Sequence, residues 1–139
     1  MNQEQINTIK NIRILYVEDD LEIQKVFSNL LKTLFDSVTI ASNGREGLDL
    51  FQNADYKFDF VISDIEMPEM NGLSMLEEIK KIDPAMPCIL ATAHGEFDYF
   101  MKANELGVFR YMQKPLDINE LLEAVNDFQN GLEVKKIDL

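Results

Sequence analysis

Short stretches of this chain carry residues that could do chemistry together: the acidic run Glu18-Asp19-Asp20, then Asp64, Thr92, and Lys114 followed by Pro115. Carboxylates gathered in one place repel one another unless a positive group separates them. A hard divalent cation with oxygen ligands removes that conflict. Mg²⁺ suits the task because it accepts a few carboxylates and keeps waters that phosphate oxygens can replace. Beside such a cation, Asp64 could attack a phosphoryl donor and form an acyl phosphate. The Lys114 ammonium would offset charge on the transferring oxygens, and the Thr92 hydroxyl would donate a hydrogen bond to one of them.

Each residue also has a plainer reading. Acidic residues suit a solvated helix N-terminus. Asp64 could be a turn residue before Met67-Pro68, Lys114 a surface lysine and Thr92 a β-branched strand residue. Their joint placement decides between the two readings.

Apolar runs over residues 12–17, 38–41, 58–63, Cys88–Thr92 and 108–113 predict strands. Between them lie stretches of helical periodicity. Leu21–Leu34 places Leu21, Ile23, Val26, Phe27, Leu30, Leu31 and Leu34 close to helical spacing. Asn43-Gly44 opens a helix carrying Leu48 and Phe51, and Asn71-Gly72 makes a turn before Leu73, Leu76 and Ile79. Phe97–Leu106 is closed by Gly107. Asp117 caps a last helix with Leu121, Leu122, Val125 and Phe128, and Glu120 stands at capping-box spacing.

Strict strand–helix alternation predicts an α/β fold with a parallel sheet covered on both faces. The flavodoxin-like (βα)5 doubly wound arrangement, strand order 2-1-3-4-5, follows for five units. Ligands in such sheets bind beyond the carboxyl ends of the strands, where the order reverses. The acidic run and Asp64 then converge between strands one and three, with Thr92 and Lys114 on the far side.

The length of 139 residues fits one domain. Residues 1–11 read as an N-terminal extension, 12–129 as the domain, and 130–139 as a helix end or linker. With 25 acidic and 13 basic residues, the formal charge is −12, which argues against binding nucleic acid or an anionic membrane. Cys88 is the only cysteine, so a reducing cytoplasm is the expected home, and Cys88 itself reads as core. No apolar run has transmembrane length, and the first ten residues lack a signal-peptide core.

Residues 14–20 (Ile-Leu-Tyr-Val-Glu-Asp-Asp), 63–68 (Ser-Asp-Ile-Glu-Met-Pro), 91–93 (Ala-Thr-Ala) and Lys114-Pro115 form an ordered set that resembles the response-regulator receiver family over residues 12–128. The resemblance implies residue roles. Glu18 and Asp19 would be the metal-binding acidic pair, with Asp19 the direct ligand. Asp64 would be the phosphoacceptor, and the backbone carbonyl of Glu66 the third metal ligand. Lys114 would contact the phosphate, with its bond to Pro115 cis. Thr92 and Tyr111 would form the switch pair. Glu66 and His94 would occupy positions that modulate phosphate lifetime.

The implied partners are a sensor histidine kinase or phosphotransfer protein as donor, and a downstream protein or a fused effector as reader. The resemblance leaves open a stand-alone regulator or a piece of a longer protein. Two alternatives compete with it. A degenerate receiver would bind partners without phosphorylation, but the full set of acidic residues, Thr92 and Lys114 speaks against it. An aspartyl-phosphate phosphatase of the haloacid dehalogenase type would have aspartates at i and i+2 after its first strand. Here Asp64 follows the third, and position 66 is Glu.

Overall fold

A computed structural model describes residues 2–4, 9–93 and 95–131. The chain runs β1 (Arg13–Val17), α1 (Leu21–Leu34), β2 (Ser37–Ala41), α2 (Gly44–Asn53), β3 (Phe60–Asp64), α3 (Gly72–Ile82), β4 (Cys88–Thr92), α4 (Phe97–Leu106), β5 (Arg110–Gln113) and α5 (Ile118–Gln129). All strand pairs are parallel, and the order is β2-β1-β3-β4-β5. This is the flavodoxin-like topology expected from the alternation.

Side chains alternate across the sheet, as the two-residue period of a strand requires. Leu15, Val17 and Val61 face one core with Leu48 of α2, Leu76 and Ile79 of α3, and Ala103 of α4. Ile14, Tyr16, Phe60 and Ile62 face the other with Leu31 of α1 and Leu121 and Val125 of α5. Phe60, Phe109 and Phe128 meet edge-on at centroid distances of 5.5 to 6.0 Å and tie α5 to that face.

Helix ends follow from local chemistry. Asp20, Asn43, Asn71 and Asp117 each accept backbone N–H groups as N-caps. Gly107 closes α4 in the left-handed region at φ 71°, which glycine adopts without a β-carbon penalty.

Some boundaries move. β3 starts at Phe60 rather than residue 58 and includes Asp64; just before it, the Asp59 carboxylate rather than a backbone carbonyl accepts the Arg13 N–H, at 2.9 Å. β5 starts at Arg110 rather than 108, because the Val108 N–H is spent on Ala103 O in closing α4. Asn71-Gly72 is the cap and first turn of α3 itself.

The apolar residues of α1 do not all enter the core. Leu31 is buried, but Leu21 and Val26 are 68% and 71% exposed, and Ile23 and Leu30 also face outward. The apolar arc is wider than the strip the sheet covers. Ile9, inside the segment read as an extension, is fully buried in the α1/α5-side core. Among the described residues no helix is long and apolar enough to cross a membrane. His94 and residues 132–139 lie outside the described residues.

Candidate functional site

The acidic run divides. Asp20 is used locally, accepting the N–H groups of Glu22 and Ile23 at 3.0 and 3.1 Å, so the plain helix-cap reading holds for it. Glu18 and Asp19 remain for the site. Glu18 is fastened through its backbone: its N–H donates to Ala41 O at 3.0 Å, and Gln24 Nε2 donates to Glu18 O at 2.8 Å. Its side chain is only 2% exposed. Sequence reasoning did not single out Gln24, since a polar residue on an amphipathic helix carries no signal of a loop partner.

Asp64 ends β3 and is buried. Its Oδ1 accepts the Ile65 N–H at 3.1 Å. Lys114 follows β5, and its own N–H donates to Thr92 O at 2.8 Å. The ammonium donates to Asp64 Oδ2 at 2.7 Å and to Glu18 Oε1 at 3.0 Å. The Lys114–Pro115 peptide is cis. Oxygens of Glu18, Asp19 and Asp64 lie within 4.8 Å of one another. The structure thus brings together the residues that the sequence placed at neighbouring strand ends.

These contacts set the protonation chemistry. Burial pushes Glu18 up to about 8, and its hydrogen bond with and repulsion by Asp64 add to this against the pull of Lys114. Asp19 is raised as well, chiefly by burial. Burial alone would lower Lys114, but its bonds to Asp64 and Glu18 outweigh that and raise it. The Tyr16 phenol is also raised, by burial first and then by the negative charges of Glu18 and Asp64. One ammonium therefore serves more carboxylate than it can neutralise. A site of hard oxygen donors with excess negative charge fits Mg²⁺.

The β3–α3 loop is pinned at two glycines. The Asp64 carbonyl oxygen occupies the space a β-carbon on Gly72 would need, and the Gly72 N–H donates to Ile65 O at 2.9 Å. Gly44 N–H donates to Met70 O at 3.0 Å, with that oxygen again filling the β-carbon position. Met67 and Met70 pack against the core from this loop.

Thr92 ends β4 with no exposure, and its hydroxyl donates to the Glu66 carboxylate. The second oxygen of Glu66, Oε2, is buried without a hydrogen-bond partner. The Tyr111 ring meets Phe100 edge-on at 5.6 Å. Burial raises the Tyr111 phenol and the Glu66 charge adds to this, while a side-chain hydrogen bond with Thr92 pulls the other way. The Glu66 side-chain contact was invisible in the sequence, because nothing in local spacing links residues 26 apart.

A cavity of about 390 Å³ opens beside the acidic cluster, lined by Glu18, Asp64, Lys114 and the apolar Ile23, Phe27 and Leu116.

Comparison with known proteins agrees with this geometry. The profile of the response regulator receiver domain matches residues 14–126. The chain is 38% identical over 118 residues to the transcriptional regulatory protein GlrR of Escherichia coli (strain K12), covering 85% of this chain but 26% of that protein. A response regulator receiver domain protein from Clostridium thermocellum superposes with TM-score 0.77 at 36% identity, over 86% of this chain and 94% of the other. The CheX-CheY-BeF3-Mg+2 complex from Borrelia burgdorferi gives TM-score 0.78 at 25% identity, over 88% and 92% of the two chains. With five parallel strands in the 2-1-3-4-5 order and carboxylates of β1 and β3 meeting a β5 lysine at the switch point, this chain belongs to the response regulator receiver domain family.

Proposed function

We propose that Asp64 accepts a phosphoryl group in a Mg²⁺-dependent reaction and that the loaded domain presents an altered protein-binding surface. The observation that carries this reading is the contact of one ammonium, Lys114, with both Asp64 and Glu18 inside a cluster of three carboxylates. That cluster is costly unless a cation completes it.

In the transfer, an Asp64 carboxylate oxygen forms a bond to phosphorus as the donor's phosphorus–nitrogen bond breaks. For a phosphohistidine donor, the imidazole leaves with the electron pair. Lys114 neutralises charge on the transferring oxygens, and Thr92 donates its hydroxyl hydrogen bond to one of them. Mg²⁺, held by Glu18, Asp19, Asp64 and the Glu66 carbonyl, would supply further charge neutralisation. Thr92 and Tyr111 then form the switch, through a population shift that the phosphoryl contacts drive. Hydrolysis returns Asp64 to its free state, so the chemistry is self-directed and consumes no external substrate ester.

A donor protein must dock at the rim of the cleft to reach Asp64. Two apolar residues of α1, outward Ile23 and half-buried Phe27, line the cavity itself. They suit a histidine kinase or phosphotransfer protein. The reader is a protein partner or an effector in the same polypeptide, and the curated relative spanned only to 26% of its length is a transcriptional regulator. The acidic charge of −12 leaves nucleic acid to such an effector, and a single cysteine, Cys88, suits a reducing cytoplasm.

Incubation with a small phosphodonor and Mg²⁺, followed by intact-mass measurement, tests the reading. Wild type should gain one phosphoryl group, and Asp64→Ala and Asp64→Asn none. A wild type that stays unmodified yet still binds partners would favour the degenerate receiver.

A further inference from the structure

The Thr92 hydroxyl has one proton to donate. In the unphosphorylated chain that proton is given to a Glu66 carboxylate oxygen. The same proton is the one a phosphoryl group on Asp64 would require. One further atom marks this corner as unsettled: Glu66 Oε2 is buried without a hydrogen-bond partner. Glu66 as a residue is half-buried. Glu66 sits two residues past Asp64 in the connection between β3 and α3, next to exposed Pro68 and Glu69. Burying a carboxylate oxygen unsatisfied costs free energy, and the Thr92 bond to the other oxygen offsets part of that cost.

We propose that the Glu66 carboxylate is an internal stand-in for the phosphoryl group, holding the Thr92 hydroxyl in the unloaded domain and yielding it when Asp64 is loaded. Glu66 is thus a positioning residue that acts through Thr92. The inference rests on Asp64 being the phosphoacceptor, and it adds a competitor for the hydroxyl that a phosphoryl group needs. Loading carries two consequences. The phosphoryl group must displace Glu66 from Thr92, which weakens its net binding. The displaced carboxylate, repelled by the new charge, turns to solvent at the mouth of the cleft.

Competition separates from simple charge repulsion in a double-mutant cycle. The probe is beryllofluoride with Mg²⁺, titrated into wild type, Glu66→Ala, Thr92→Ala and the double variant, with backbone amide NMR shifts as readout and thermal melting as a check on folding. Glu66→Ala should tighten beryllofluoride binding about ten-fold, the scale of one hydrogen bond to a charged group. In the Thr92→Ala background the same substitution should change affinity by less than about two-fold, since no hydroxyl remains to compete for. Thr92→Ser, which keeps the hydroxyl, should restore the ten-fold effect. Before any probe is added, Glu66→Ala should move the amide signals of Thr92 and Tyr111, and Glu66→Gln, which keeps an acceptor oxygen, should move them less.

Equal tightening with and without the Thr92 hydroxyl would overturn the proposal and leave charge repulsion in its place. No tightening in Glu66→Ala, with wild type binding normally, would overturn it while sparing Asp64. Failure of wild type itself to respond to beryllofluoride would remove the phosphoacceptor reading and this inference together.

Discussion

The carbonyl oxygen of Asp64 lies where Gly72 would carry a β-carbon. A residue at the start of α3 is therefore held against the backbone of the residue that presents the central carboxylate. The loop between them closes on itself through the Gly72 N–H to Ile65 O bond of 2.9 Å. Gly72→Ala cannot keep this approach. It should lower stability by about 2 kcal/mol, in the range of overpacked positions, and slow phosphorylation of Asp64. Thermal melting and intact-mass kinetics would show both. An unchanged melting temperature would mean that the loop yields without cost.

Lys114 is the only cation among the described residues in contact with the buried pair Glu18 and Asp64. Removing it leaves the buried acidic groups of Glu18 and Asp64 facing each other without the donor they share. Lys114→Ala should cost on the order of 2 kcal/mol in the presence of chelator, less than for a fully buried pair because water reaches the site. Mg²⁺ should return much of that loss. The Mg²⁺-induced rise in melting temperature should therefore be larger in Lys114→Ala than in wild type. An equal rise would show that the two cations do not share the same carboxylates.

The raised protonation of Glu18 has a sign that can be measured. Its value goes from an ordinary 4.5 to about 8, with burial the largest cause. Between those limits the folded chain holds a proton that the unfolded chain has released, so stability from this group falls as pH rises. Below 4.5 both states are protonated and the cost is absent. Above 8 it is complete. Without metal, Glu18→Gln should gain on wild type in melting temperature as pH moves from 5 to 8 (roughly the span of the linkage), and Mg²⁺ should flatten wild type. A constant gap between the two proteins across this range would contradict the assignment.

The outward apolar face of α1 predicts a separation of two activities. Val26 is 71% exposed. Val26→Asp should change stability by less than about 0.5 kcal/mol. Loading from a phosphohistidine-bearing protein should fall several-fold, while loading from a small phosphodonor stays the same. Parallel loss with both donors would move the defect into the cleft and away from docking.

Much of this was readable before the fold. Alternating apolar runs and amphipathic stretches specify a doubly wound sheet because each element must bury one face against the next. Once Asp64 and Glu18 are placed at the ends of neighbouring strands, their meeting follows from topology. Lys114 follows in the same way, though it is 96 residues from Glu18. Other features depend on packing and leave no local pattern. The period of α1 marks Leu21 and Val26 as apolar-face residues, but only the width of the sheet decides that they stay outside. Ile9 looks like part of a terminal extension, and only the open end of the α1/α5-side core gives it a place. The Thr92 hydroxyl bond to Glu66 joins the end of β4 to the loop after β3, 26 residues apart, which sequence spacing does not encode.

The central claim is that Asp64, among the clustered carboxyls, takes the phosphoryl group. An acyl phosphate is reduced by borohydride to an alcohol, so a phosphorylated aspartate becomes homoserine at its own position. Peptide mapping after phosphorylation and borohydride reduction should find homoserine at position 64 and unmodified side chains at Glu18 and Asp19. Reduction at either of those residues, or a phosphoryl group that survives borohydride on another side chain, would contradict the account.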